Sequence, residues 1–405
     1  MILSIAWRNI WRSPLRSLIV LAAVCLGLFG GVFSMAFTNG MGAQRIRSGI
    51  ETQVADMQVH TAIFLKKEEI RDTIPAALSV RQRLAAIPGV ASAASRIKLN
   101  AMAASATAGT GVVLYGVDPA AERAVSSIAT CVTQGAYFRD ARKNAVVVGE
   151  KLAEKLKVRL RSKIVLTTQA ADGTITGGAF KIAGIYKTEN STFDETTVFA
   201  QAPDLCALTG LPPGATHEIA VRTTNSRIAP AVTAAAKAQM NGLVIKSWRE
   251  TSPELALLDS IMTYMMLLFL IIILFALAFG IINTMLMVIL ERTKELGMLM
   301  AIGMTKTRIF FMIMAETVLL SFTGGIVGML LSAAAIGYFG AHGINLSAVA
   351  KGLSAMGYGS LVFPQISVSF YFILSMLIVV TGVISSIYPA LRALSLEPAK
   401  AIRTV

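Results

Sequence analysis

The sequence predicts a polytopic α-helical membrane protein with four transmembrane helices and a large α+β domain outside the membrane between the first and the second. Three observations predict it. Asp, Glu, Lys and Arg make up 15% of the chain against an apolar share of 55%, where soluble domains carry about 25% charge. The mean hydropathy is +0.65. The apolar residues also gather in four long stretches, each long enough for the roughly 20 helical residues that span a bilayer core. This composition excludes a disordered chain and an ordinary soluble enzyme. A formal net charge of +14 suits anionic lipid, an acidic partner or nucleic acid. The four apolar stretches decide for the membrane, and no nucleic acid is expected.

Residues 1–17 read as a cytoplasmic interfacial helix. Trp7 and Trp11 share one helical face, Arg8 and Arg12 form the neighbouring stripe, and Arg16 follows; indoles would lie at the headgroups and guanidinium groups against lipid phosphate. Pro14 starts the turn into the first span, 18–38. That span is uncharged, runs past Cys25 and meets no small-residue cleavage box, so an uncleaved anchor is expected. The second span is 260–290, uncharged throughout; the third is 309–339, apolar except for Glu316; the fourth is 368–391. Gly27 and Gly31, and likewise Gly324 and Gly328, stand four apart, a spacing that suits close helix packing against partners, a second copy of the chain among them. Glu316 is costly in hydrocarbon and should face protein or water.

Short flanks set the orientation. Arg8, Arg12 and Arg16 precede the first span; Arg292, Lys294, Lys306 and Arg308 lie between the second and third; Arg392, Lys400 and Arg403 follow the fourth. The loop 340–367 carries only Lys351. The basic flanks therefore belong in the cytoplasm with both termini, and 39–259 lies outside. This outside domain reads as mixed α+β, in one lobe or two. Ala145–Gly149, Lys163–Thr168, Phe180–Tyr186 and His217–Arg222 are strand-like, with breaks at Asp172-Gly173 and Gly177-Gly178. Glu150–Leu156, Pro230–Met240 and the segment from Arg71 to Ile87 after Pro75 look helical. The state of Ala101–Gly111 is open, and so is a disulfide between Cys131 and Cys206.

The chain holds no G-x-x-x-x-G-K-[ST], no H-E-x-x-H and no G-x-S-x-G, and His60, His217 and His342 are far apart in sequence. No catalysis, metal site or cofactor is expected in this chain. The cytoplasmic edges are sharper. In Glu291-Arg292-Thr293-Lys294-Glu295-Leu296-Gly297-Met298-Leu299-Met300-Ala301-Ile302-Gly303, Glu291 and Glu295 stack one turn apart and Leu296, Leu299 and Met300 form an apolar face. Such a helix is either a surface for another protein or a tight turn with solvated charges. Gly297 and Gly303 permit close approach or sharp turns. Tyr388-Pro389-Ala390-Leu391-Arg392 ends the fourth span, and Pro389 should kink or interrupt the helix.

These edges resemble the permease subunits of ABC exporters in the FtsX/MacB superfamily. The resemblance rests on E-R-T-K-E-L-G-M-L-M-A-I-G-M at 291–304, Y-P-A-L-R-A and E-P-A-K-A-I-R within 388–403, and W-R-N-I-W-R-S-P-L-R-S at 7–17. It implies a MacB-like (type VII ABC exporter) fold with a periplasmic domain in the bacterial inner membrane. It also implies a cytoplasmic ABC ATPase dimer that binds ATP and Mg, and a second permease chain, identical or homologous. The 291–308 stretch would be the coupling helix on that ATPase, with Glu291, Arg292, Glu295, Gly297, Ala301 and Gly303 on the family's coupling block. Pro389, Ala390, Pro398 and Arg403 fall on its C-terminal block. V-I-K-S-W-R-E at 244–250, P-G-V at 88–90 and V-V-V-G-E-K-L-A-E-K-L-K-V at 146–158 look like the lipoprotein-releasing LolC/LolE-type permeases. That closer resemblance implies a lipid-anchored cargo and a periplasmic lipoprotein carrier. Drug or peptide export through an adaptor and channel, or activation of a cell-wall hydrolase, are the alternatives within the superfamily.

Overall fold

The computed structural model describes residues 14–138 and 143–394. The described residues form two compact units, one of 14–41, 261–345 and 361–394, the other of 42–260 and 346–360.

The first unit is helical. Its helices are α1 (Pro14–Gly49, which runs on into the second unit), α2 (Pro253–Glu291), a short α3 (Thr293–Ala301), α4 (Lys306–His342) and α5 (Val368–Leu394). The four long ones are each apolar enough to cross a membrane. They outrun the uncharged windows, because lipid selects the apolar part of a helix while backbone breakers end it. At the end of α4, Gly343 takes φ +75° and its N–H closes on the Phe339 carbonyl at 2.8 Å. Val24, Leu28 and Val32 of α1 share one core with Ile273 and Ile281 of α2, Ile313 and Leu320 of α4, and Leu374 and Ile378 of α5.

Helices in lipid gain little from apolar contact alone, so close approach matters. A Cβ on Gly328 would stand 2.9 Å from the Cys25 carbonyl oxygen, one on Gly324 3.0 Å from Val24, and one on Gly31 2.4 Å from Ile273. Three of the four expected packing glycines therefore make close contacts inside this chain. Gly27 faces open space. Pro389 does not interrupt α5, which continues to Leu394 with Pro389, Ala390 and Ala393 buried. The interruption expected there does not occur, because the packing that buries this turn offsets the lost backbone bond and the ring's crowding of the preceding turn.

The second unit is built on one ten-stranded sheet. Its strands are β1 (Met57–His60), β2 (Val90–Ala104), β3 (Gly109–Val117), β4 (Val132–Gly135), β5 (Ala145–Gly149), β6 (Lys163–Gln169), β7 (Ile175–Tyr186), β8 (Thr197–Gln201), β9 (Glu218–Thr223) and β10 (Val244–Ser247). Six of them close a ring, β2-β3-β8-β5-β7-β6 and back to β2. Alternate residues fill its interior: Ile97 and Leu99, Val112 and Leu114, Val146 and Val148, Ile164 and Leu166, Phe180 and Ile182, Val198 and Ala200. The other end of β2 pairs with β9, which leads through β1 to β10. Helices Ala77–Ala85 and Ala229–Gln239 cover that part through Val80, Leu84, Val232 and Ala236. The two lobes left open by the sequence thus share one long strand, β2.

Arg96 sits where β2 exchanges β9 for β3, opposite Glu218 on one side and Val117 on the other. Its guanidinium is 2% exposed and holds Glu122 at 3.0 and 2.7 Å, Glu218 at 2.8 Å and the Gln53 carbonyl at 3.0 Å. Burial opposes its charge, but the two carboxylates outweigh that and push its pKa up. His217, distant from His60 in sequence, lies against it: His60 Nδ1 is 3.3 Å from the His217 carbonyl, and Phe64 stacks on both rings. The Lys98 N–H donates to His217 Nδ1 at 3.2 Å, and Nε2 donates to the Ile70 carbonyl at 2.8 Å. Only the neutral ring makes both bonds.

Several local expectations change. Gly177-Gly178 does not break the chain; both residues lie inside β7, paired with Thr167 and Leu166. The helix expected after Pro75 within Arg71–Ile87 forms over Ala77–Ala85, beginning just past Ala76, which adopts φ +48°. Ala101–Gly111 forms the β2–β3 hairpin. Cys131 and Cys206 are free thiols.

Candidate functional site

The block that carries the sharpest sequence signal, 291–304, lies between α2 and α4. Arg292 departs from helical geometry (φ −99°, ψ 17°) and serves as N-cap residue of α3. Its Nε donates to Glu295 Oε2 at 3.0 Å, and its Nη1 donates to both Glu316 oxygens at 3.0 and 3.2 Å. Glu316 is 5% exposed. The carboxylate that the sequence placed alone in an apolar span is therefore paired with a cation from the preceding turn, which is what a buried charge requires.

The orientation of α3 corrects the expected gripping face. Leu296 is 3% exposed and Gly297 is buried, while Leu299 and Met300 pack against the same helical core. The face read as available to another protein is turned into the chain's own helices. The outward side carries Glu291, Lys294, Met298, Ala301, Ile302 and Gly303. Met298 is 51% exposed and Ile302 85% exposed. They stand four apart, so they form one apolar stripe, and the exposed Lys294, four residues before Met298, lies on the same face. The expected 291–308 helix ends early, at Ala301, because Gly303 takes φ +98° and the Met304 N–H turns back to the Leu299 carbonyl at 3.0 Å. Both faces of this segment are apolar by composition, so spacing alone could not say which one the core would claim.

At the end of α5, Tyr388 is 57% exposed and Arg392 is exposed, while Pro389 and Ala390 are buried. Trp7, Arg8, Trp11, Arg12, Pro398 and Arg403 lie outside the described residues; Arg16 falls in α1 by its backbone. Among the described residues no cluster of three His, Cys, Asp or Glu is placed to hold a metal ion.

Comparison with known proteins matches residues 17–240 to the MacB-like periplasmic core domain and 267–398 to the FtsX-like permease C-terminal domain. The chain belongs to the FtsX/MacB superfamily of ABC transporter permeases. This permease is 37% identical over 124 residues to the ABC transporter permease YknZ of Bacillus subtilis, covering 31% of this chain and 27% of that protein. It is 28% identical over 124 residues to the macrolide export ATP-binding/permease protein MacB of Chlorobium luteolum, covering 31% of this chain and 16% of that protein. The chain thus matches about a quarter and about a sixth of the length of these two relatives. The periplasmic region of MacB from Actinobacillus actinomycetemcomitans aligns over 55% of this chain and 98% of that chain, at 13% identity and a TM-score of 0.34. With its four apolar helices, this FtsX/MacB-type permease is a multi-pass inner-membrane protein.

Proposed function

We propose that the chain is the permease subunit of an ABC transporter in which a separate cytoplasmic ATPase dimer docks on α3. Both termini then lie in the cytoplasm and the β-rich domain in the periplasm, with a second permease chain completing the transporter. The observation that carries this reading is the outward stripe of Met298 and Ile302 on a short helix whose other face is locked into the membrane core. An exposed apolar pair with the exposed Lys294 on the same helical face has the form of an interface hot spot. ATP and Mg belong to the partner; this chain converts the partner's closure into movement of its long helices.

The cargo we propose is a lipid-anchored protein drawn from the outer leaflet and handed to a soluble carrier. Each lipid CH₂ moved into water costs about 0.8 kcal/mol, so three acyl chains of about 16 carbons would cost roughly 40 kcal/mol if fully wetted. An apolar shelter and a carrier are therefore needed. The second reading, expulsion of small molecules or peptides, is favoured by the relative that is named a macrolide exporter. Purification in mild detergent with identification of every bound protein tests both. A lipoprotein carrier and ATP-dependent release of a labelled lipoprotein from vesicles support the first; an adaptor and channel with no such release sink it. Recovery without any ATPase removes the docking claim.

A further inference from the structure

We infer that the Arg292–Glu316 pair is the strut that delivers movement of α3 to α4, with Glu316 as its positioning residue; this rests on the docking reading above. Two routes join α3 to α4. The covalent one is the turn 302–305, where Gly303 at φ +98° is a soft point that bends before it pushes. The lateral one runs through the guanidinium of Arg292. It grips the first turn of α3 at Glu295 and, by both carboxylate oxygens, the buried Glu316. Glu316 lies ten residues beyond the start of α4 at Lys306, about 15 Å along the helix at about 1.5 Å per residue. A load applied there acts on the body of the helix and not on its frayed end.

The surroundings favour the ion pair over apolar contact as the fixed point. Leu296, Met312, Ile313, Met285 and Ile289 lie beside the pair, and apolar contact of that kind is non-directional. A two-point charge-assisted bond has a defined length and direction, and breaking one arm leaves a charge in a low-dielectric site.

The test uses the complex purified with its ATPase, carrying a chain whose three cysteines are replaced by alanine. One cysteine placed at the exposed Thr305, outside the Met298–Ile302 stripe, reports docking by cross-linking to the ATPase. A second chain with one cysteine at His342, the far end of α4, reports transmission as the ATP-dependent change in its labelling rate by a maleimide. Glu316→Gln should keep the cross-link and cut the ATP-dependent change by about fivefold or more. Arg292→Gln should do the same from the other side of the pair, and the exchange Arg292→Glu with Glu316→Arg should restore the response. An intact cross-link with an undiminished response in both single variants overturns the strut alone. Absence of the cross-link in the parent complex overturns the docking reading and the strut with it.

Discussion

Ile302→Ala should weaken ATPase docking without weakening the permease. Ile302 is 85% exposed, so nearly all of its side chain is available to be covered by a partner. Truncation to alanine removes three carbons. At about 0.8 kcal/mol for each, full burial would be worth about 2.4 kcal/mol; partial coverage lowers this to about 2 kcal/mol, a factor of roughly 30 in Kd. The fold should not feel the change, since Ile302 lies outside the apolar core. The matched control is Leu296→Ala, in which a side chain 3% exposed is removed from that core. It should lower stability by about 2–5 kcal/mol and leave the outward stripe in place. The assay is titration of the ATPase onto permease held in nanodiscs, with thermal unfolding of each variant alongside. The reasoning is refuted if Ile302→Ala binds as tightly as the parent while a folded Leu296→Ala loses binding, for then the buried face would be the gripping one.

Three further outcomes follow from the structure. Arg96→Met leaves Glu122 and Glu218 buried without their shared cation, so it should cost about 3–5 kcal/mol and lower the melting temperature of the full chain. Gly328→Val should be destabilising, because its Cβ would meet the Cys25 carbonyl at 2.9 Å and backbone cannot yield; Gly27→Ala, facing open space, should be neutral in the same melt. Burial lowers the pKa of both His60 and His217 below 6.5. The unfolded chain then takes up protons that the folded chain refuses. The stability is complete above about pH 6.5 and falls as the pH drops below it towards the folded values. Thermal melts at about pH 7.5 and about pH 5.5 should therefore differ, and replacing His217 by Gln should shrink the difference; an unchanged slope would show that other groups govern it.

Features that depend on a short window were legible before any coordinates. The strand at Ala145–Gly149 and the helix at Glu150–Leu156 follow from a β-branched run and the helix formers after it. The block 291–304 stood out by its charges. Features that depend on a distant neighbour were not. Gly177-Gly178 looks like a break until Leu166 and Thr167 pair with it. The outward face of α3 is not legible in the sequence, because Leu296 and Ile302 are alike in hydropathy and differ only in what lies beside them.

Four long apolar stretches were determined by the sequence alone, because lipid demands a minimum run of apolar residues and leaves a helix no alternative way to satisfy its backbone. The partner of Glu316, the ring closed by β2 and β6, and the outward stripe of Met298 and Ile302 were decided only by the tertiary structure. Each is a choice among chemically equivalent options, and such a choice is made by which distant surface arrives to bury one and leave the other exposed.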